Sequence, residues 1–371
     1  MERLNLHLAT AIAANADLDV IGPAGSASHL PDARVHEIPV NPLWRYLLRA
    51  AWSSFIVAIN HRPRLVVAGS GLTAPFAWGV AKLTRGTSVV YLHGLDVIAD
   101  HPVYRACWLP FIRKCDQAIA NSRNTARLVE RAGVRAERIT VIHPGVATNG
   151  GGIESSVDFR ARHHLGEGRL MLSVGRITPR KGLREFIAHA LPRIIEKAPD
   201  ASLVVIGDDA PHALSGRNVG GGRKLMDLAA SIGMEGRVKV LGTCDDQTLQ
   251  AAYQTAAVHV FPIVERPGDV EGFGMVALEA AANGLPTVAF DVGGVSDAVI
   301  EGQSGTMIKP GCYDEFADAI VGSMEMEDRA AMAERCRVAA RAFDWVEFDS
   351  KLHALLFPNT EPDGRQRGEV T

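Results

Sequence analysis

The 371-residue sequence has no run of about 18 uninterrupted apolar residues, so no helical membrane crossing is expected. Its opening, Met1-Glu2-Arg3-Leu4, lacks the basic, apolar and small-residue succession of a secretory leader, and none is expected. Cysteine is scarce. Cys107, Cys115, Cys244, Cys312 and Cys336 form no CxxC pair and no framework spacing, which argues for reduced thiols in the cytoplasm. Basic runs interleaved with aromatics are also missing, and a nucleic-acid partner is therefore not expected. What remains is an ordinary globular composition, 47% apolar and 22% charged. The length suits two domains better than one core.

Charge is unevenly placed. Residues 1–147 hold 16 Lys+Arg against 10 Asp+Glu, a balance of +6; the rest hold 23 against 32, a balance of −9, giving the net −3. A basic first half can meet an acidic substrate or an anionic membrane surface.

Short β-branched runs alternate with amphipathic segments of helical length, which predicts α/β layers around parallel sheets. Strands are expected at Arg64–Ala68, Ser88–Leu92, Gln117–Ala120 and Ile139–Ile142, with helices near 3–15, 43–60, 101–115 and 122–132. A second series follows at Leu170–Val174, Ser202–Ile206, Val238–Leu241, Val258–Phe261 and Thr287–Phe290. The Gly-rich stretch Ala147–Gly152 reads as a linker. The expected division is 1–147, a linker over 148–168, a second domain over 169–343, and a helix at 344–357 that packs back on the first. Two doubly wound domains facing a cleft would bind ligands at the carboxyl ends of their strands.

Two constellations stand out. Glu271-Gly272-Phe273-Gly274-Met275-Val276-Ala277-Leu278-Glu279 places a carboxylate before a glycine-opened helix and a second carboxylate eight residues on. Free N–H groups at such a start attract phosphate, and carboxylates suit vicinal hydroxyls. The same pattern also describes an acidic helix start that favours the macrodipole. Gly175-Arg176-Ile177-Thr178-Pro179-Arg180-Lys181-Gly182, directly after a strand, presents Arg176 and Lys181 as a diphosphate clamp or as a solvated basic turn.

Taken together, GR-x4-KG followed about ninety residues later by E-x7-E resembles glycosyltransferase family 4. The likeness continues through Leu241-Gly242, Asp245-Asp246, Val260-Phe261-Pro262, Gly284-Leu285-Pro286 and Gly293-Gly294. The resemblance implies a GT-B fold and retaining transfer of a hexose from a UDP- or GDP-linked donor to a glycan or lipid-linked acceptor, in cell-surface polysaccharide or glycolipid synthesis. It implies that Arg176 and Lys181 bind the diphosphate, Glu271 faces the donor sugar, and Glu279 holds the ribose. Gly272, Phe273, Gly274, Met275 and Val276 would complete the donor site. It raises His93, in Tyr91-Leu92-His93-Gly94, from a packed histidine to a catalytic candidate; Asn121-Ser122 and His143-Pro144-Gly145 match without a clear role. No cofactor or metal is implied, since cationic side chains and a helix terminus can stabilise a leaving diphosphate. The alternatives are a GT-B scaffold that binds a sugar nucleotide without transferring it, and a nicotinamide-dependent dehydrogenase.

Other signals are weaker. Gly69-Ser70-Gly71-Leu72-Thr73-Ala74 imitates a dinucleotide fingerprint but lacks the later acidic residue. Asp208-Asp209 and Asp245-Asp246 read as loop acids rather than metal ligands. Trp44, Leu48, Ala51, Trp52, Phe55 and Ile59 share one helical face, which either packs on its own sheet or meets the inner face of the plasma membrane. Glu2–Ala14 looks like the helix that follows the first strand and a Gly-rich loop in this family, so the natural protein is expected to begin some 15–25 residues upstream of Met1.

Overall fold

A computed structural model of the chain describes residues 2–148, 156–208 and 221–358. It divides into two compact units. One comprises residues up to Gly145 together with those from Trp345 onward; the other comprises Val146–Asp344.

In the first unit, α1 (Glu2–Ala13) precedes a parallel pair, β1 (Asp19–Pro23) and β2 (Arg34–Ile38). After α2 (Leu43–His61) come β3 (Leu65–Ala68), α3 (Ala74–Thr84), β4 (Thr87–Leu92), β5 (Gln117–Ala120) and β6 (Ile139–Val141). The last four strands form one parallel sheet in that order. β4 is buried from Ser88 to Leu92, as a parallel strand covered on both faces must be. The helix Trp345–Leu356 adds Phe348 and Leu352 to a core of Leu4, Leu8, Ile12, Val89 and Tyr91.

α2 settles one alternative. It buries only Ala50, Val57 and Ala58, whereas Trp44, Leu48, Trp52, Phe55 and Ile59 are 58%, 64%, 65%, 47% and 54% exposed. The large residues do not pack on the unit's own sheet; the small ones do.

The second unit holds β7 (Leu170–Val174), β8 (Ser202–Ile206), β9 (Val238–Gly242), β10 (Val258–Phe261), β11 (Thr287–Phe290) and β12 (Gly305–Ile308). They form one parallel sheet in the order β12-β11-β10-β7-β8-β9. Much of the linker expected over 149–155 lies outside the described residues. Beyond it, the helix Ser156–Arg162 buries Phe159 beside Leu165 and Leu170. Residues 156–168 are therefore part of this unit rather than a tether, because an aromatic ring gains more from core burial than a linker could offer.

Candidate functional site

Numbered from its own first strand, the second sheet runs 3-2-1-4-5-6, so strand order reverses between β7 and β10. The crevice outside the carboxyl ends of two such strands is the standard ligand position of a doubly wound sheet. The chain is shaped to bring charges there. After β7, Gly175 takes φ 125°, and a Cβ at Gly207 would overlap its carbonyl. The single turn Pro179–Lys181 ends on Gly182 at φ 66°, where a Cβ would overlap the Pro262 carbonyl beyond β10. Only glycine lets that turn press against the neighbouring strand end.

This delivers Arg180 and Lys181 to two carboxylates. Arg180 Nε lies 2.9 Å from Asp269 Oδ1, and its Nη1 donates to Glu271 Oε2. Lys181 Nζ donates to the same Glu271 oxygen at 3.0 Å and stands 4.7 Å from the centre of the Phe261 ring. All four charged side chains are at most 19% exposed. Burial pushes the Glu271 carboxyl up, but the Lys181 and Arg180 charges outweigh it and hold it below the usual range. Burial also pulls the Lys181 ammonium down, against Glu271 and with Arg180 and Arg176. Arg176 is exposed beside them. Three cations thus face two carboxylates, a surplus of one positive charge. Nothing in the sequence singles out Arg180, since the resemblance rests on the two ends of GR-x4-KG.

The glycine-opened segment lies along the same crevice. Gly294 N–H donates to the Glu271 carbonyl at 2.8 Å, and a Cβ on Gly294 would overlap the Gly272 carbonyl. Phe273 is buried, Gly274 caps the helix Met275–Ala282 at φ 106°, and Met275 and Val276 are half-buried. One turn on, Glu279 Oε2 accepts from the Tyr253 hydroxyl at 3.1 Å. Tyr253, which fixes that carboxylate, had no sequence signal of its own. Asp245 accepts from Thr248 N–H at 2.8 Å, so it serves as a helix cap. Asp209 lies outside the described residues. Among the described residues, no group of three or more His, Cys, Asp and Glu side chains is arranged to hold a metal ion.

In the first unit, His93 follows β4. Its Nε2 is 2.9 Å from the Gly69 carbonyl, its N–H donates to Asp96 Oδ2 at 2.7 Å, and Asp96 Oδ1 accepts from Gly71 N–H at 2.9 Å. A carbonyl only accepts, so Nε2 carries the proton and Nδ1 of the neutral ring is an acceptor. Burial lowers the His93 pKa despite Asp96, which favours that neutral form. The Gly69–Ala74 segment is filled from within: a Cβ on Gly71 would come within 2.6 Å of the Tyr104 hydroxyl and 2.9 Å of Asp96. Its glycine serves packing rather than a dinucleotide. Ser122 caps the helix Arg123–Arg131 by accepting from Thr125 N–H, and Asn121 Oδ1 is buried without a partner.

The family model described as glycosyl transferases group 1 matches residues 155–343, and that of glycosyltransferase family 4 matches residues 1–149. The D-inositol 3-phosphate glycosyltransferase of Nocardia farcinica is 32% identical over 238 residues, 63% of this chain and 51% of that protein. Its counterpart from Corynebacterium efficiens is 29% identical over 272 residues, 70% and 61% of the two chains. The chain thus spans about half to three fifths of the length of these curated relatives. Among solved structures, Anabaena Alr3699/HepE in complex with UDP and glucose superposes with TM-score 0.76 at 21% identity, covering 96% and 95% of the chains. WaaG, a glycosyltransferase involved in lipopolysaccharide biosynthesis, gives 0.68 at 19%, with the same coverage. These are likenesses of fold, and the fold is the GT-B arrangement of two Rossmann-like units.

Proposed function

The chain belongs to the glycosyl transferases of group 1, and from that premise we propose that it is a retaining hexosyltransferase using a UDP- or GDP-linked donor. The acceptor in this reading is a glycan or a lipid-linked glycan of a cell-surface polysaccharide or glycolipid. The observation that carries the proposal is the cluster of Arg180, Lys181, Asp269 and Glu271 at the strand-order reversal of the second unit. A diphosphate competes with Glu271 for Lys181 and draws on the surplus charge of Arg176. Glu271, released from Lys181, then accepts from hydroxyls of the donor sugar, while Glu279, oriented by Tyr253, accepts from the ribose. Structures of the Anabaena neighbour with UDP and with UDP-glucose support a uridine donor.

In the proposed step the bond from the anomeric carbon to the diphosphate breaks. A bond to the acceptor oxygen forms on the same face, and the acceptor proton passes to the departing phosphate oxygen. Glu271, still held by Arg180 once the diphosphate has taken Lys181, is a poor nucleophile, which fits a route without a glycosyl-enzyme. Arg176, Arg180 and Lys181 stabilise the leaving charge, so no metal or other cofactor is invoked. His93, with Nδ1 an acceptor, is assigned to the reaction centre.

The exposed α2 face supports contact with the inner face of an anionic membrane, where a lipid-linked acceptor would be found. From Ile38 to Leu95 there is no acidic residue and six basic ones: Arg45, Arg49, Arg62, Arg64, Lys82 and Arg85. Trp beside Arg suits a lipid headgroup region.

Thermal unfolding with UDP, GDP and ADP tests the donor reading: a ligand at 100 times its Kd adds about 2.7 kcal/mol. No shift with any of the three sinks the proposal. Binding without transfer or hydrolysis of a panel of UDP- and GDP-sugars leaves the non-transferring scaffold, the reading that would then replace it.

A further inference from the structure

At the end of the second sheet opposite the charged crevice, a cavity of about 470 Å3 opens where Ala257 leads into β10 and Pro286 into β11. The helices Asp246–Thr255, Met275–Ala282 and Tyr313–Met324 end beside it, and the helix Arg329–Arg341 begins there. Gly284 takes φ 78° straight after the helix Met275–Ala282. A Cβ on it would stand 2.5 Å from Arg337 Nη1 and 3.0 Å from the Ala333 Cβ, so Arg337 lies across this glycine as part of the cavity wall.

Arg329 and Arg337 line the cavity, and among the described residues no Asp or Glu does. Arg329 donates to a neutral acceptor, the Ala256 carbonyl, at 3.4 Å. Arg337 Nε donates to Glu334 Oε2 at 3.2 Å, but Arg341 draws on the same carboxylate at 3.2 Å, and that side chain is 54% exposed. Solvent screens such a pair, which therefore neutralises Arg337 only weakly. Each helix end opposes an anion with about half a charge and the helix start returns about half, so the two guanidiniums leave about one positive charge. Gln254, Asn283 and Ser323 add hydrogen-bonding groups, and Leu285 and Met326 add apolar wall. Such a volume with a few convergent polar groups suits a small molecule.

Two residues of the wall also hold Glu279. The Tyr253 hydroxyl donates to Glu279 Oε2 at 3.1 Å, and Asn283 Nδ2 donates to the Glu279 carbonyl at 3.0 Å. Whatever steadies these two residues steadies the carboxylate at the other end of the sheet. We propose that the cavity is a regulatory site for a phosphate monoester of a small polyol, whose binding tightens nucleotide binding through Tyr253, Asn283 and Glu279. The phosphate lies between Arg329 and Arg337, and the hydroxyls meet Gln254, Asn283 and Ser323. The coupling rests on the donor reading given above; the binding site itself does not.

Calorimetry tests both halves, with sorbitol 6-phosphate as the probe and sorbitol and inorganic phosphate as controls, each titrated with and without saturating UDP. The probe should bind at least roughly tenfold more tightly than either control. UDP and the probe should each tighten the other by the same factor, roughly fivefold, because coupling is reciprocal. Arg329→Gln with Arg337→Gln should weaken the probe at least roughly tenfold and leave UDP affinity in its absence unchanged. If that pair lowers Tm, each single replacement should still show part of the loss. Tyr253→Phe should keep the probe and cut the mutual effect below about twofold. A probe that does not bind, or binds no better than inorganic phosphate, overturns the proposal. So does probe binding that Arg176→Ala abolishes and the Arg329 and Arg337 replacements spare, since it would belong to the donor crevice. Probe binding with no change in UDP affinity overturns the coupling. Should UDP itself not bind, the donor reading falls, and the two arginines still decide the cavity.

Discussion

Lys181 Nζ and Glu271 Oε2 stand 3.0 Å apart although ninety residues separate them in the chain, and Arg180 donates to the same oxygen. A cation meant only to hold a carboxylate would need no second cation and no third at Arg176. On the donor reading proposed above, the excess suits an anion, and Glu271 would pass from the cations to a sugar when one arrives.

Arg180 and Arg176 should separate stability from binding. Arg180→Ala leaves Asp269 and Glu271 short of a buried partner and should cost about 3–5 kcal/mol of stability. Arg176→Ala, at an exposed position, should leave Tm within a degree or so while weakening UDP or GDP binding by roughly 1.5–3 kcal/mol. Lys181→Ala should weaken binding by a similar amount. Calorimetry and thermal unfolding of the three variants read both quantities; unchanged nucleotide affinity in both Arg176→Ala and Lys181→Ala would move the donor site elsewhere.

The two glutamates should divide by role. Glu279→Gln should weaken binding of the free nucleotide, and Tyr253→Phe should do so less, by about 0.5–1.5 kcal/mol, since it only loosens the carboxylate. Glu271→Gln removes the competitor for Lys181, so UDP or GDP should bind as well as before or better, while sugar transfer falls. A large loss of nucleotide affinity in Glu271→Gln would contradict the proposed exchange of partners.

The second unit was nearly readable from its sequence because its strands are continuous apolar runs, such as Leu170–Val174, buried at all five positions. β1, β2 and β12 were not expected. Asp19–Pro23 carries Gly22 and Pro23, Arg34–Ile38 mixes charged and apolar residues, and Gly305–Ile308 opens on glycine, so each lacks the β-branched run that signals a strand. In the site, motif spacing drew attention to Arg176, Lys181, Glu271 and Glu279. Arg180 and Tyr253 were invisible because their partners, Asp269 with Glu271 and Glu279, are 26 to 91 residues away and become neighbours only through the sheet. The period of α2 gave its stripe, but period alone cannot say which face is covered.

That face makes a separable prediction. The protein should co-sediment with vesicles containing anionic lipid more than with neutral ones, and the excess should fall between low salt and about 0.5 M salt as the Debye length shortens. Trp44→Ser with Trp52→Ser should reduce binding to both vesicle types, because it removes apolar contact, and should leave Tm nearly unchanged because both rings are exposed. Arg45→Gln with Arg49→Gln should reduce only the anionic excess. Binding to neither vesicle would end the membrane reading.

His259 is fully buried on β10, with Nδ1 3.1 Å from Thr287 Oγ1 and its ring stacked on Phe261 at 5.6 Å between centres. Burial first, and then the nearby Lys181 charge, lower its pKa from 6.5 to about 3. Between those values the unfolded chain binds a proton that the folded chain refuses. Stability of the second unit should therefore fall as pH drops through 6.5 and go on falling toward 3; above about 7.5 this group contributes no slope. The slope is about 1.4 kcal/mol per pH unit for one proton. Glu271 cannot account for it above pH 4.5, since its lowered pKa ties its loss of stability to more acidic conditions. Burial also lowers the pKa of His7 and His93, both in the first unit, so a variant is needed to isolate His259. His259→Gln cannot titrate. Urea unfolding at pH 7.5, 6.5 and 5.0 should show the parent losing about 2 kcal/mol more than His259→Gln between pH 6.5 and 5.0. Parallel losses in the two proteins would mean that His259 protonates in the folded state, contrary to its burial against Lys181.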